Sequence, residues 1–190
     1  MNRAVFLDRD GTLNVEVGYV THPEQLTLIS GAVDAVAELC RAGWQVFVFT
    51  NQAGIGRGLS TEDDLTAIHA KLTAAIETAG GTLSGIYYCP HAPDANCECR
   101  KPLPGLLVRA AQEHGLDLTE CVVIGDSQRD IEAGQAAGCR TILVLTGHAT
   151  PELAVTFPAP PDFICLDLSA AVIEIREKLE NHGTSLKNGH

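Results

Sequence analysis

Residues 44–50 read Trp-Gln-Val-Phe-Val-Phe-Thr, an apolar run with almost no alternation. A strand with one wet face alternates polar and apolar residues. A nearly continuous run fits a strand covered on both faces, as in a parallel sheet with helices on either side. Other short segments have strand character at 4–7, 86–88, 121–124, 141–145 and 163–165. Helical signals fall between them. Residues 31–42 place Val33, Val36, Leu39 and Cys40 on one side, and Gly43 stops the run. Ser60 or Thr61 caps a second helix, with Asp63 or Asp64 three residues on as a form of the capping box. Its stripe is Leu65, Ile68, Leu72, Ile76 and Ala79, ended by Gly80-Gly81. Further helices are expected at 104–114, 129–137 and 169–180. Alternating strands and helices predict an α/β fold, a doubly wound parallel sheet joined by right-handed crossovers. Residues 1–180 read as one domain and 181–190 as a polar, disordered tail.

Ligands of such folds bind beyond the carboxyl ends of the strands, at a topological switch point. Asp8, Thr50 and Asp126 each fall at such an end, so the chemistry is sought there. Charge narrows its class. The chain carries 24 acidic and 13 basic side chains, a formal charge of −11. That balance disfavours a nucleic-acid or anionic-membrane surface. A phosphorylated ligand would need a local positive site, from a metal ion or a few placed cations. No secretory signal is visible and no apolar run is long enough to span a bilayer. Seven cysteines without such a signal fit a reduced, cytoplasmic protein.

Four segments carry candidate chemistry. The first strand runs into Asp8-Arg9-Asp10-Gly11-Thr12. Carboxylates at i and i+2 face the same side, and Gly11 lets the chain turn away. One could attack phosphorus and the other carry a proton; by itself the pair also suits a solvated turn. Thr50-Asn51-Gln52 offers a hydroxyl and amides to phosphate oxygens, or simply ends a strand. The glycines of Ala53-Gly54-Ile55-Gly56-Arg57-Gly58 read as a flexible loop or a backbone amide cradle, not a helix, and no P-loop Lys-Ser/Thr follows. Arg100-Lys101-Pro102 supplies a guanidinium fork and a point charge, or a solvated basic pair. Asp126, in Gly125-Asp126-Ser127-Gln128-Arg129-Asp130, could seat Mg²⁺ with Asp8; Asp126 or Ser127 could instead cap the next helix. Asp130 could orient this site or lie on the helix surface.

A fifth segment clusters soft ligands. Cys89, His91, Cys97 and Cys99 lie within eleven residues, and a Cys₃His set suits a structural, tetrahedral Zn²⁺. A disulfide or redox pair is the alternative. With four protein ligands such a metal is closed to substrate, and it would pin the loop, about 86–102, that delivers Arg100 and Lys101. Cys40, Cys121, Cys139 and Cys165 sit singly in or beside apolar segments and read as core thiols.

In this order, the Asp-x-Asp, Thr-Asn-Gln, Lys101 and Gly-Asp segments resemble the haloacid dehalogenase-like (HAD-like) phosphohydrolases over most of the chain. The resemblance implies that Asp8 is the nucleophile and Asp10 the general acid, then base. Thr50 and Lys101 would hold the transferring phosphoryl group, and Asp8, the Asp10 backbone carbonyl and Asp126 would hold Mg²⁺. Only about 18 residues separate Thr12 from the helix at Gly31, and the second cap position holds the cysteine loop, so the likeness narrows to the capless, zinc-loop branch. Within it, residues 14–20, 50–58, 87–91 and 99–102 look like the phosphatases of heptose 1,7-bisphosphate. That likeness implies a small phosphorylated sugar as substrate, with Glu16, Val17, Gly18, Tyr19, Thr50, Asn51, Gln52 and Ala53 lining its pocket and Arg100 recognising its distal part. A monomer is expected, and the charge of −11 with no basic stripe argues against a nucleic-acid or membrane partner. Glu16-Val17 departs from the acidic-plus-histidine pair of that loop, and the zinc loop is short. Histidinol-phosphate phosphatases share Asp-x-Asp, Thr-Asn-Gln and the zinc cluster, and polynucleotide 3′-phosphatases share the first two. A non-catalytic, zinc-stabilised interaction module is the reading from outside enzymology.

Overall fold

Successive side chains of a strand pass to opposite faces of its sheet, and in this chain both faces are apolar. The computed structural model describes residues 3–180. Its strands are β1 (Ala4–Leu7), β2 (Gln45–Asn51), β3 (Gly85–Cys89), β4 (Val122–Gly125), β5 (Arg140–Val144) and β6 (Phe163–Cys165). All pair in parallel, in the order β3-β2-β1-β4-β5-β6. The order reverses between β1 and β4, which opens a crevice at their carboxyl ends.

Three helices cover one face: α1 (Ala32–Arg41), α3 (Glu62–Thr78) and α7 (Leu168–Glu174), with the one-turn α2 (Ala53–Gly56) preceding α3. There Val5, Leu7, Val46, Val48 and Ile124 pack with Val36 and Leu39 of α1, Ile68, Leu72 and Ile76 of α3, and Val172 of α7. On the other face lie α4 (Gly105–His114) and α5 (Gln128–Ala136). They cover Phe6, Phe47, Phe49 and Val123 through Leu107, Ala110 and Ala133. Phe6 stacks on Phe47 with centroids 5.2 Å apart and meets Phe49 edge-on at 6.4 Å. Each such buried side chain contributes about 1.5–3 kcal/mol from burial alone, so the strand ends that carry the site rest on rigid supports.

The expected helix cap forms between Thr61 and Asp64: the Thr61 hydroxyl accepts from Asp64 N at 3.1 Å, and Thr61 N donates to the carboxylate at 2.9 Å. Two expectations need correction. Residues 53–58 are not an open loop, since Ala53–Gly56 closes a helical turn. Gly56 is there for close approach: its N–H donates to Pro90 O at 2.8 Å, and a Cβ would stand 2.5 Å from Ala92 N. The last helix is α-helical only to Glu174; Ile175–Glu180 is π-helical, with Ile175 buried at the junction. A short helix, α6 (Pro151–Ala154), capped by Thr150, carried no periodic signal. The tail expected at 181–190 lies outside the described residues. Neither residues 8–31 nor the cysteine loop holds a cap domain. Among the described residues no helix is long and apolar enough to cross a membrane.

Candidate active site

Asp8 leaves β1 and Asp126 leaves β4, on the two sides of the crevice. Asp8 N still bonds to Ile124 O at 2.9 Å, which fixes its backbone to the neighbouring strand. Gly11 then turns the chain at φ +82°, and a Cβ there would lie 2.3 Å from Asp126 Oδ2. The carboxylate of Asp126 accepts from His148 N at 2.7 Å. It does not cap α5. Ser127 does, bonding Asp130 Oδ2 through both its N–H (3.1 Å) and its hydroxyl (2.6 Å). Asp130 is buried, not on a helix surface.

Lys101 closes this cluster. It is 4 % exposed, and its Nζ donates to Asp8 Oδ1 at 2.7 Å and Phe49 O at 3.0 Å, while Asp130 Oδ1 lies 2.6 Å away. Two of the three N–H donors of the ammonium are hydrogen-bonded, to Asp8 and Phe49 O, and Asp130 adds an ion pair. Burial would lower the Lys101 pKa, but Asp130 and Asp8 raise it to about 12. At Asp8, burial together with Asp130 and Asp126 outweighs Lys101 and holds the carboxyl well above its usual range. Asp126 is pushed up to about 6 by burial and by Asp130. The carboxylate oxygens of Asp8, Asp126 and Asp130 lie within 4.8 Å of one another. Three carboxylates against one ammonium leave two negative charges in a buried site, which suits a divalent, oxygen-seeking cation.

Asp10 has a separate environment. Arg9, 0 % exposed, donates from Nη2 to both its oxygens at 2.9 and 2.8 Å. Asn14 Nδ2 donates at 2.9 Å and Gln52 Nε2 at 3.0 Å. Burial alone would raise this carboxyl, but the Arg9 charge and these donors bring it below its usual value. Arg9 Nη1 also reaches His69 Nε2 at 3.4 Å. Burial and the Arg9 charge bring His69 down to about 4, so it rests neutral with Nε2 accepting.

The cavity between these groups measures about 250 Å³. Glu16, Gly18, Tyr19, Thr50, Asn51, Gln52, Ala53, Arg100 and Lys101 all line it. Val17 does not, and its side chain is 55 % exposed. The amides of Asn51 and Gln52 are already engaged. Asn51 pairs with the Lys101 backbone in both directions, at 3.2 and 3.1 Å, as one peptide unit pairs with another. Gln52 Nε2 bridges Asp10 and the Thr50 hydroxyl oxygen at 2.9 Å. Glu16 accepts from Gly18 N and lies 3.5 Å from His148 Nε2.

Cys89, His91, Cys97 and Cys99 converge beyond the end of β3, their ligand atoms within 4.8 Å of one another. Cys89 and Cys97 sulfurs are 3.5 Å apart, and His91 Nδ1 lies 3.6 Å from Cys89 and 3.2 Å from Cys99. Zn–S bonds of about 2.3 Å in a tetrahedron imply S···S separations near 3.8 Å, so the set fits zinc. The four side chains are unpaired thiols and an imidazole, the donor set of a tetrahedral Cys₃His site. Burial would raise Cys97, but hydrogen bonds involving Cys89 and Cys99 bring it down to about 7, while burial and its neighbours push Cys99 up to about 12.

Arg9, His69 and His148 were not singled out from sequence. His69 sits on the buried face of α3, one turn from Leu65 and Leu72, so the helical period could have flagged it. Nothing local marks Arg9 or His148.

A parallel sheet of this order, with an Asp-x-Asp leaving the central strand and a lysine bridging its first aspartate to Asp130 of α5, defines a HAD-like phosphohydrolase. The HAD-hydrolase-like family model matches residues 98–171. The chain is 37% identical over 177 residues to D-glycero-beta-D-manno-heptose-1,7-bisphosphate 7-phosphatase of Bordetella bronchiseptica, covering 93% of this chain and 99% of that protein. It is 41% identical over 174 residues to the enzyme of that name from Pseudomonas putida, covering 91% and 99%. The crystal structure of the B. bronchiseptica D,D-heptose 1,7-bisphosphate phosphatase, complexed with magnesium and phosphate, superposes with a TM-score of 0.87 at 38% identity, covering 93% of this chain and 98% of that one. The Burkholderia thailandensis phosphatase gives 0.72 at 33% identity, covering 93% and 99%. This chain belongs to the heptose 1,7-bisphosphate 7-phosphatase family.

Proposed function

We propose that this protein is a Mg²⁺-dependent phosphatase that removes the C7 phosphate of D-glycero-D-manno-heptose 1,7-bisphosphate through an aspartyl-phosphate, in the making of nucleotide-activated heptose. The relatives' names favour the beta anomer. The observation that carries the chemistry is the division of labour between two carboxylates. Asp8 sits among Lys101, Asp126 and Asp130, whereas Asp10 is held by Arg9, Asn14 and Gln52. Two carboxyls in contrasting environments can take two roles.

An Asp8 oxygen attacks phosphorus, and the bond from phosphorus to the C7 oxygen breaks. Asp10 gives its proton to the departing alkoxide. Water then attacks the aspartyl-phosphate, Asp10 takes the water's proton, and inorganic phosphate leaves with Asp8 restored. In the free enzyme Asp10 rests as a carboxylate; its protonation belongs to the complex, where an anionic phosphate opposes the pull of Arg9. Thr50 and Lys101 hold the phosphoryl oxygens. Asp8, the Asp10 carbonyl and Asp126 would hold Mg²⁺, which when bound neutralises charge on those oxygens. Glu16, Gly18 and Tyr19, with Thr50, Asn51, Gln52 and Ala53, form the sugar pocket, and Arg100 faces the distal part. Cys89, His91, Cys97 and Cys99 hold a structural Zn²⁺. The reading includes one catalytic domain acting as a monomer in the cytoplasm, where unpaired thiols persist.

The test is Mg²⁺-dependent phosphate release from both anomers of heptose 1,7-bisphosphate, beside histidinol phosphate and a 3′-phosphorylated oligonucleotide. A kcat/KM advantage of about a hundredfold for one heptose anomer, roughly 2.7 kcal/mol, is the expected result, and Asp8→Asn should abolish it. Dominance of histidinol phosphate would overturn the substrate, and an active Asp8→Asn protein would overturn the mechanism.

A further inference from the structure

The buried side of α3 is aliphatic but for one residue: His69 stands among Leu65, Ile68, Leu72 and Ile76. A polar ring on that side is costly to desolvate unless it is hydrogen-bonded, and its partner is Arg9. A guanidinium carries five N–H donors. In Arg9, which is fully buried, Nε and Nη2 face the Asp10 carboxylate at 2.8 to 3.3 Å, and Nη2 also reaches Gln52 Oε1 at 3.2 Å. Nη1 reaches His69 Nε2 at 3.4 Å and meets no other hydrogen-bond acceptor among the described residues. The imidazole is itself braced. The Tyr88 ring, on β3, meets it edge-on with centroids 6.0 Å apart, and the Tyr88 hydroxyl donates to Glu62 in the first turn of α3.

The residue type matters as much as the place. An aliphatic side chain at position 69 would leave Nη1 buried without an acceptor. A carboxylate would satisfy it but would compete with Asp10 for the Arg9 charge. A neutral imidazole accepts the hydrogen and leaves that charge to Asp10. Burial and the Arg9 charge keep His69 in this form, with its pKa brought down to about 4. A planar guanidinium tied at Nη1 to α3 and at Nη2 to Asp10 is kept from turning about its own axis, so the carboxylate against it has one orientation.

We infer that His69 is a positioning residue for the reaction: through Arg9 it fixes the orientation in which the Asp10 carboxyl gives up and takes back its proton. The inference rests on the two-carboxylate mechanism proposed above. It adds a residue of α3 that does not line the catalytic cavity.

The experiment measures kcat and KM of His69→Leu and His69→Gln on whichever of the phosphate esters named above the wild-type protein turns over best. Folding of each variant is verified first through the fluorescence of Trp44, the single, buried tryptophan. The glutamine amide oxygen is a neutral acceptor that can take the place of Nε2, whereas leucine only fills space. A positioned general acid contributes about a hundredfold or more, so His69→Leu should lower kcat roughly tenfold with KM within about twofold. His69→Gln should recover most of that loss. Added to Arg9→Met, His69→Leu should lower kcat no further, as two changes on one route do not add. An unchanged kcat in folded His69→Leu, a loss that His69→Gln shares in full, or an additive loss beside Arg9→Met overturns the inference and leaves the proposed function standing. A wild-type protein that hydrolyses none of those esters overturns that function and the inference with it.

Discussion

Asp126 tests the charge balance of the site most directly. In the metal-free protein, burial and then Asp130 push its carboxyl up to about 6, against about 3.9 in an unfolded chain. A raised carboxyl makes folding take up a proton. Its contribution to stability is fully present below about pH 4 and is lost as pH rises through about 6. With those two values the contribution is about 1.4 kcal/mol at about pH 5 and close to zero at about pH 7.5. Asp126→Asn removes the titration and keeps the shape. His69, brought down to about 4 by burial and by Arg9, moves stability the opposite way over this interval, but it is common to both proteins and cancels in their difference. The assay is urea unfolding in Mg²⁺-free buffer with zinc left in place, followed through Trp44, the single tryptophan, which is buried. The asparagine protein should gain on the wild type by about 1.4 kcal/mol between about pH 5 and about pH 7.5. A difference constant to within about 0.4 kcal/mol, about the reach of additivity error, would refute the reasoning.

Removing zinc should lower kcat/KM by loosening Arg100 and Lys101, which follow Cys99 directly; unchanged kinetics after verified metal loss would count against this. Arg9→Met should destabilise the fold by about 3 kcal/mol, because it leaves Asp10 a mostly buried charge without its partner, and should lower kcat more than it changes KM. Denaturant midpoints and steady-state kinetics read both effects, and a stability loss under about 1 kcal/mol would show that Asn14 and Gln52 suffice.

Periodic features were legible in the sequence. The stripe of Leu65, Ile68, Leu72 and Ile76 could serve only a helix with one buried face, and the run at 44–50 only a doubly covered strand. Parallel strands put their carboxyl ends on one edge, so Asp8, Thr50 and Asp126 could be grouped before any coordinates. Lys101 was readable as a cation near that edge, but its three partners were not, since Asp130 and Phe49 reach it only through packing of α5 and β2. Arg9 stayed hidden because its return to Asp10 depends on the bend at Gly11. Gly56 was misread because its cause lies far along the chain, in the approach of Pro90 and Ala92. His148 sits after β5, in a segment with no period at all.

The anionic surroundings of Lys101 have a consequence for turnover. A phosphate entering the crevice does not meet an idle ammonium; it competes with Asp8, Phe49 O and Asp130 for it. Binding there is an exchange of one anion or dipole for another, and the net gain for a resting phosphate ester is small. The gain grows as Asp8 gives up its charge in forming the new bond to phosphorus and releases its hold on the ammonium. Lys101 thereby favours the transition state over the bound ester, and the liberated phosphate, facing a restored Asp8, is readily displaced.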